Sequence, residues 1–400
     1  MNSLLLKILI TFIVFVGAIV AIGRGVLEKP IPKTVSITPM PTRKMPLVRV
    51  GENGYYLTLS PSQKEKLQSL VATDNEAKLA YEDIEANAQA ALKDTPNPIS
   101  QIQSSKIVKG DERKSRSLES VKDAEKVYSL GFAYTVTSDM QYAKKAKEFL
   151  ISWARKNKSS VDPIDQRLLE PMYMGYDLVK PTFTQDERRV VNTWLKVTAQ
   201  TLIENINPSK SATSNRNNHQ SHLLAVVAMI GFSTADQKLI DYVVDGYKKQ
   251  IQVDLNPDGS SFDFHQRDAL YYHVFTLEPL LSVARIAQMN GIDLFDYTTS
   301  SVASKAASLQ KSIDFLLPYA KGEKNHAEWV HSTAPFDKTR ANAGDEQFQP
   351  GVLFDPKQAY PTLELYYYFK PDILPLALKL SSTDIKKYPD FFMVYLDAVR

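Results

Sequence analysis

A polar run that leads directly into an apolar helix is the first segment whose side chains could do chemistry. Residues 214–222 are polar, and residues 223–230 are apolar. One asparagine is enough to cap a helix, so capping explains Asn217 or Asn218 but not both, nor the basic residues beside them. Those basic residues are Arg216, His219 and His222. Since a helix start presents free N–H groups and a positive dipole end, the run predicts a site for an anionic group.

A second segment concentrates basic and phenolic side chains behind a turn. Residues 257–259 read Pro-Asp-Gly, which is typical of a turn, and a helix that soon becomes apolar follows. The head of this helix carries His265, Arg267, Tyr271, Tyr272 and His273. A single tyrosine or histidine here would be typical of a packed core. Together with the asparagine–histidine run, the group is better evidence for a functional site than either segment alone.

A third cluster is less specific. It comprises residues 325–331 and 336–340. Trp329 could stack on a sugar ring, and Arg340 could bind a carboxylate. A solvated loop explains both residues equally well. His222, one helical turn beyond His219, is more typical of a packed histidine than of a catalytic one.

Metal catalysis and glycoside hydrolysis are two alternatives that the motifs support poorly. The histidine pairs that could begin a metal site lack companions at ligand spacing, so we predict no metal and no other cofactor. These pairs are His219 with His222 and His326 with His331. An inverting hydrolase would need two carboxylates about 6.5–9.5 Å apart. No spacing singles out a pair among the candidates Asp258, Asp263, Glu278 and Glu328.

The composition excludes further classes of protein. The chain has 400 residues, a formal net charge of +3 and no cysteine. The small net charge excludes a nucleic-acid binder whose whole surface is basic, but it permits a local basic cleft for an anionic substrate. The absence of cysteine excludes disulfides, thiolate catalysis and zinc–thiolate sites. A hydrophobic content of 44% is sufficient for a large core.

The N-terminal region indicates export. Residues 8–22 carry no charge, a length that fits a signal-peptide core better than a full membrane span. We predict a signal peptide or membrane anchor over 1–26, with residues 4–22 as the sole contact with a membrane. Five prolines predict an extended linker over 27–49. The folded domain is predicted over 50–400, in the periplasm or secreted.

Apolar residues at helical spacing recur throughout the rest of the chain, whereas strand alternation is scarce. The predicted helices cover residues 63–70, 75–92, 118–137, 139–156, 166–179, 185–205, 219–230, 234–254, 268–290, 301–320 and 360–380. A short extended piece is predicted over 48–57. Loops containing proline and asparagine join the helices. The pattern predicts an all-α fold of stacked antiparallel hairpins.

The motifs resemble those of the alginate-lyase superfamily of (α/α) toroid polysaccharide lyases. The resemblance rests on Asn-Asn-His at 217–219, the turn at 257–259, Arg-Asp-Ala-Leu-Tyr-Tyr-His at 267–273 and Leu-Glu-Pro-Leu at 277–280. It extends over residues 116–344. It implies an incomplete (α/α) toroid and β-elimination of an acidic, uronate-containing polymer such as alginate or polymannuronate. An inverting hydrolase on the same fold and a non-catalytic binder of acidic polysaccharide are the alternatives.

The resemblance also implies roles for individual residues. Asn218, helped by His219 and a cation, neutralises the substrate carboxylate, and Tyr272 transfers protons, with His219 as the alternative base. The implied contacts with the anionic polysaccharide are Arg216, Asn217, Tyr271, His273, Trp329 and Arg340.

The chain departs from the family at one position. The family has an arginine seven residues before the catalytic tyrosine, where this chain has His265. If a helix already runs from residue 265, His265 shares the face of Tyr272. A non-helical entry would instead bring Arg267 inward. Either residue is therefore a candidate for the cation that neutralises the substrate carboxylate.

Overall fold

Residues 54–206, 216–381 and 387–400 are described by a computed structural model, in which helices account for the regular structure. These residues contain three isolated β-bridges and no strand. Their α-helices are α1 Pro61–Thr73, α2 Asn75–Ala91, α3 Glu112–Ser120, α4 Lys122–Thr137, α5 Met140–Lys156, α6 Pro163–Gln166, α7 Glu170–Val179, α8 Gln185–Asn205, α9 Asn218–Ser233, α10 Gln237–Asp254, α11 Phe262–Arg267, α12 Leu270–Met289, α13 Leu309–Ala320, α14 Pro335–Asn342, α15 Tyr360–Tyr367, α16 Leu374–Ser381 and α17 Phe391–Val399. The all-α prediction is confirmed.

The N-terminal predictions over 1–26 and 27–49 lie outside the described residues. Within the described segments, no helix combines the length and the apolar character needed to cross a membrane. The extended piece predicted over 48–57 falls partly outside them, and residues 54–57 form no strand.

Some predicted helices are shorter or divided. The helix predicted over 301–320 starts only at Leu309, because Ser308 caps it by accepting a hydrogen bond from the Lys311 amide. The helix predicted over 360–380 is split into α15 and α16. The separating turn begins at Pro371, which lacks the N–H that a continuous helix needs. Five helices, α3, α6, α11, α14 and α17, lie wholly or largely outside the predicted ones.

The helices form an inner and an outer layer of the toroid. The inner helices α4, α7, α9, α12 and α15 alternate along the chain with the outer helices α5, α8, α10, α13 and α16, and each inner helix packs against at least one outer helix. The outer helix α5 buries only one face, at residues spaced three or four apart, whereas every residue of α9 from Ser221 to Ser233 is buried. A helix that is apolar on all sides must be enclosed by others, so the sequence dictates which helices form the inner layer.

The inner helices start on one rim of the toroid. Because each outer helix reverses the chain, successive inner helices run in the same direction. The Asn218 side chain at the start of α9 contacts Asp263, just before α12. The Tyr360 hydroxyl at the start of α15 donates to Asp390, which caps α17, over 2.9 Å. The rim therefore collects free N–H groups and positive dipole ends.

Two glycines allow α4 and α7 to approach closely. A Cβ on Gly131 would lie 3.0 Å from the Gly175 Cα atom, and a Cβ on Gly175 would lie 2.4 Å from the Val127 carbonyl oxygen. Backbone atoms on both sides leave no side chain that could yield. The packing of these inner helices thus depends on the absence of a side chain at residue 175.

Gly175→Ala should destabilise the fold. Overpacking costs about 1–3 kcal/mol, and here it opposes a gain of about 1 kcal/mol in helix propensity. Since backbone blocks the new methyl group, we expect a net loss in chemical denaturation. Gly246→Ala is the matched control, because its new Cβ would meet the movable end of the Leu224 side chain. Equal stability of the two variants would contradict this account of the contact between α4 and α7.

His273 lies in the core between α12 and α13. It is completely buried, and its Nε2 atom donates to the Ser312 carbonyl over 3.0 Å. The Nδ1 atom therefore accepts from the Ser261 hydroxyl, over 2.9 Å. This placement corrects the prediction that His273 contacts substrate. Burial lowers the pKa of His273 from 6.5 to about 4.

His273 should make stability depend on pH. Between pH 6.5 and pH 4 the unfolded histidine binds a proton that the folded one does not, so stability falls as the pH is lowered through this window. The full difference corresponds to about 3 kcal/mol. We expect His273→Gln to be less stable at pH 7 and to lack this part of the pH dependence in denaturant titrations. An unchanged pH dependence would show that His273 is not its source.

Candidate functional site

The two asparagines at the start of α9 make different contacts. The Asn217 side chain caps the helix, accepting from the His219 amide over 3.1 Å. The Asn218 side chain instead donates from Nδ2 to Asp263 Oδ1 over 2.6 Å, and its backbone N–H donates to Asp263 Oδ2 over 2.6 Å. The Asn217 side chain is therefore used within its own helix and not, as predicted, on substrate. The Asn218 side chain points towards the second segment, residues 257–273.

Asp263 joins the two predicted segments. Its carboxylate is completely buried and also accepts from the Thr276 hydroxyl over 2.8 Å. Burial raises the pKa of Asp263, although the hydrogen bonds from Asn218 and Thr276 act in the opposite direction. Asp254 lies behind it, and burial, followed by the charge of Asp263, raises the pKa of Asp254 well above its usual range. Both oxygens of Asp263 accept hydrogen bonds from Asn218, so this carboxyl group fixes the orientation of Asn218.

His219 is neutral at neutral pH. Its side chain is 23% exposed, and Nδ1 lies 3.9 Å from Asp162 Oδ1. Burial lowers the pKa of His219; Asp162 opposes this effect, whereas Lys106 and Arg267 add to it. A neutral imidazole carries both a proton acceptor and an N–H donor. His219 can therefore take a proton or hydrogen-bond an anion without charging first.

A left-handed residue separates α11 from α12. Asp268 has φ +48°, and its carbonyl accepts from the Trp329 amide over 2.8 Å. Its side chain accepts from the His331 amide over 2.8 Å. These contacts stabilise a backbone conformation that non-glycine residues rarely adopt. The chain therefore does not enter α12 as a continuous helix.

The left-handed corner at Asp268 determines which basic residue contacts Tyr272. Arg267 is buried, and its guanidinium carbon lies 4.2 Å from the centroid of the Tyr272 ring. His265 is exposed, with Nε2 2.8 Å from the Ser260 hydroxyl. The continuous helix that would have put His265 on the Tyr272 face is absent, so this placement of His265 is wrong. The non-helical entry brings Arg267 inward instead.

Tyr272 contacts a second arginine through its hydroxyl. Arg340 Nη1, from α14, donates to the Tyr272 hydroxyl over 3.2 Å. Asp337 accepts from Arg267 and lies 4.0 Å from Arg340 Nη1. Both arginines and the tyrosine are buried. A phenol held between two guanidinium groups is suited to carry negative charge during a proton transfer.

Other predicted contacts lie in the core or apart from this cluster. Trp329 is buried and donates from its indole to the Gln347 carbonyl over 2.9 Å, so its predicted exposed stacking surface is absent. Tyr271 is also buried, with its ring 5.6 Å from that of Trp329. Arg216 is exposed, with its guanidinium 4.1 Å from the Phe262 ring.

His222 matches the packed-histidine interpretation. It is buried with its ring 4.1 Å from that of Phe275. Burial holds the pKa of His222 well below its usual range, with Arg167 and His219 adding to the effect. It is therefore neutral and enclosed.

The carboxylates considered for hydrolysis have structural partners. Glu328 accepts from the Leu270 amide over 2.8 Å and the Tyr271 amide over 3.1 Å, which caps α12 from a distant loop. Burial raises the pKa of Glu328 to about 8. Glu278 accepts from Arg167 over 2.8 Å. Asp258 accepts from Ser260 within its own turn.

Three contributors to the site were not predicted: Arg167, Asp337 and the capping carboxylate of Glu328. The Arg167 guanidinium lies 5.0 Å from the Phe275 ring, beside the start of α9. Arg167 comes from a short helix whose sequence lacks a distinctive motif, whereas Asp337 and Glu328 lie in the third cluster, where other residues were predicted to contact substrate. Only the partner residues, brought together by the fold, indicate their roles.

Comparisons with known proteins agree with this architecture. Residues 64–326 match the family model described as alginate lyase. No curated protein matches the chain in sequence. A tyrosine-to-phenylalanine variant of alginate lyase A1-III, in complex with a tetrasaccharide, is 20% identical with a TM-score of 0.56, over 70% of this chain and 81% of that one. The A1-III enzyme from Sphingomonas species A1 is 19% identical with a TM-score of 0.53, over 79% and 97%. The match to the family model covers more than half of the sequence, and the chain belongs to the alginate lyase family.

Proposed function

We propose that the protein cleaves an acidic, uronate-containing polysaccharide by β-elimination at the rim where α9 and α12 begin. The observation that carries this proposal is the environment of Tyr272, whose hydroxyl accepts from Arg340 and whose ring is covered by Arg267. Asn218 and His219 start the neighbouring helix and are tied to the same region by Asp263. Family membership supports a lyase, with alginate or polymannuronate as the first substrates to test.

The first requirement of the reaction is to neutralise the substrate carboxylate. The proton on C5 of a uronate is poorly acidic next to an anionic carboxylate, and negative charge grows there as the proton leaves. Preorganised donors stabilise that charge. One N–H of the Asn218 amide is used by Asp263, which fixes the orientation of the group and leaves the other N–H for substrate. His219 and Arg267 supply the further donor and the positive charge.

The second requirement is proton transfer. A base must take the C5 proton, and an acid must protonate the departing O4. Tyr272 is assigned to this transfer, because Arg340 and Arg267 would stabilise its phenolate. His219 is the alternative base, since burial keeps it neutral. A solved tyrosine-to-phenylalanine variant of alginate lyase A1-III with a bound tetrasaccharide is consistent with assigning a tyrosine here.

Elimination fits these residues better than hydrolysis does. Hydrolysis by inversion needs two carboxylates facing each other across a water. Here Glu328 caps a helix, Glu278 pairs with Arg167, and Asp263 holds Asn218. None of these carboxylates is placed as an opposed pair with another.

An assay on several polymers tests the proposal. The protein is incubated with alginate, polymannuronate, hyaluronan and pectate, and the ultraviolet absorbance of the new C4–C5 double bond is followed. Rising absorbance supports elimination. New reducing ends without that absorbance would indicate hydrolysis. Binding with neither signal would indicate a non-catalytic polysaccharide-binding protein.

Tyr272→Phe should abolish turnover while leaving polymer affinity largely intact, because only the proton-transferring oxygen is removed. Turnover is measured by double-bond absorbance, and affinity by calorimetry with the same polymer. Tyr247→Phe is the control, since it removes an equally buried hydroxyl from the outer helix α10. Near-normal turnover of the Tyr272 variant would exclude the assignment.

Asn218→Ala and Asn217→Ala should have different effects. Loss of an oxyanion donor costs about 2.7–4 kcal/mol in transition-state stabilisation, so kcat of Asn218→Ala should fall about 10²–10³-fold. Loss of a helix cap costs about 1 kcal/mol of stability, so Asn217→Ala should melt earlier with a much smaller loss of kcat. Equal kinetic losses would mean that the two asparagines do not divide these roles.

A further inference from the structure

We infer that Asp337 is a positioning residue for the proposed elimination: it holds the guanidinium groups of Arg267 and Arg340 against Tyr272. The inference rests on the proposed function. It adds a residue that is 65 positions beyond Tyr272 in the sequence and lies in the third cluster, at residues 336–340, where no role was predicted for it.

Asp337 is itself fixed from two sides. It lies in the first turn of α14 and is 2% exposed. Its Oδ1 atom accepts from Arg267, and its Oδ2 atom accepts from the Ser332 hydroxyl over 2.6 Å. A carboxylate with both oxygens engaged has little rotational freedom. Its orientation is therefore set before any substrate binds.

The two arginines reach Tyr272 from different elements. Arg267 comes from the end of α11 and covers the ring, whereas Arg340 comes from α14 and reaches the hydroxyl. Phe348 supports the Arg340 guanidinium at 4.1 Å. Asp337 lies between the two cations, 4.0 Å from Arg340 Nη1. It is the group that bridges the α11 and α14 contributions.

The charges of this cluster explain why a carboxylate is needed. Two buried guanidinium groups near one phenol repel each other, and an unpaired buried charge is costly. Asp337 places a negative charge between the two guanidinium groups and so reduces this repulsion. Burial opposes the charge of Arg267, but Tyr272, Asp337 and Asp263 together raise the pKa of Arg267.

Several charged or titratable groups lie around Tyr272 or around the Arg267 guanidinium that covers its ring, and together they determine how this cluster responds to pH. They are His219 of α9, Asp263 and Arg267 of α11, Tyr271 of α12, and Asp337 and Arg340 of α14. Neutralising Asp337 changes one of these charges and nearly preserves the shape of the side chain. Loss of this negative charge makes the surroundings of Tyr272 more positive, so the pH dependence of the reaction should shift to lower pH.

Asp337→Asn tests the inference. We expect kcat to fall at least about tenfold with KM unchanged or lower, because the carboxylate of the substrate meets more positive charge while the arginines lose their common anchor. The acidic limb of the pH–rate profile should move to lower pH, since added positive charge favours the phenolate. Loss of kcat with an unmoved pH profile would overturn the positioning role.

Two further variants separate this role from a general effect of removing a buried carboxylate. Asp123→Asn neutralises a carboxylate that is 1% exposed and accepts from the Trp153 indole, far from the arginines. It should lower stability and leave the pH profile unmoved. Ser332→Ala keeps the charge of Asp337 and removes one of its hydrogen bonds. A loss of a few-fold in kcat, with an unmoved profile, is expected.

A measurement without substrate distinguishes failure of the inference from failure of the proposed function. Phenolate absorbance is titrated in the full chain and in Asp337→Asn, each compared with the same protein carrying Tyr272→Phe. The difference isolates Tyr272, and its phenolate should appear at lower pH in Asp337→Asn. An unshifted difference spectrum would overturn the inference, even if the protein proves to be a lyase. A shifted spectrum in a protein without lyase activity would reject the proposed function alone.

Discussion

The carboxylate of Asp263 is the constraint on which the proposed site depends. It accepts the side-chain and backbone N–H groups of Asn218, 45 residues earlier in the chain, as well as the hydroxyl of Thr276. A buried carboxylate is tolerated only when donors of this kind compensate its lost hydration. The same three hydrogen bonds therefore stabilise the anion and fix the start of α9 against α11 and α12. Without them, the asparagine–histidine run would have no defined position relative to Tyr272.

The second constraint is the left-handed corner at Asp268. It ends α11 and restarts the chain as α12, so that Arg267 covers the ring of Tyr272 while His265 faces solvent. The loop that includes Trp329 and His331 stabilises this corner through hydrogen bonds to Asp268. Trp329, which was predicted to contact sugar, thus supports the backbone of this corner. The toroid places these parts on the rim where the inner helices start and where dipole ends favour an anion.

Periodicity was sufficient to predict the fold class and most helices, because α9 and α12 are buried on nearly all sides and outer helices such as α5 on a single stripe. α17 was missed, since its nine residues lie at the end of the chain and show no stripe long enough to recognise. The motifs also located both segments of the candidate site. Which of His265 and Arg267 faces Tyr272 could not be predicted, because that depends on a positive φ at an aspartate. The burial of His273 and Trp329 likewise depends on partners far away in the sequence, as does the role inferred for Asp337.

The most direct measurement of the central claim is a crystal structure of Tyr272→Phe bound to a uronate oligosaccharide. The account predicts that one uronate carboxylate lies within hydrogen-bonding distance of the Asn218 amide and next to Arg267, with C5 of that sugar directed at the ring of residue 272. An oligosaccharide bound on another surface, or one whose carboxylates contact neither residue, would contradict it.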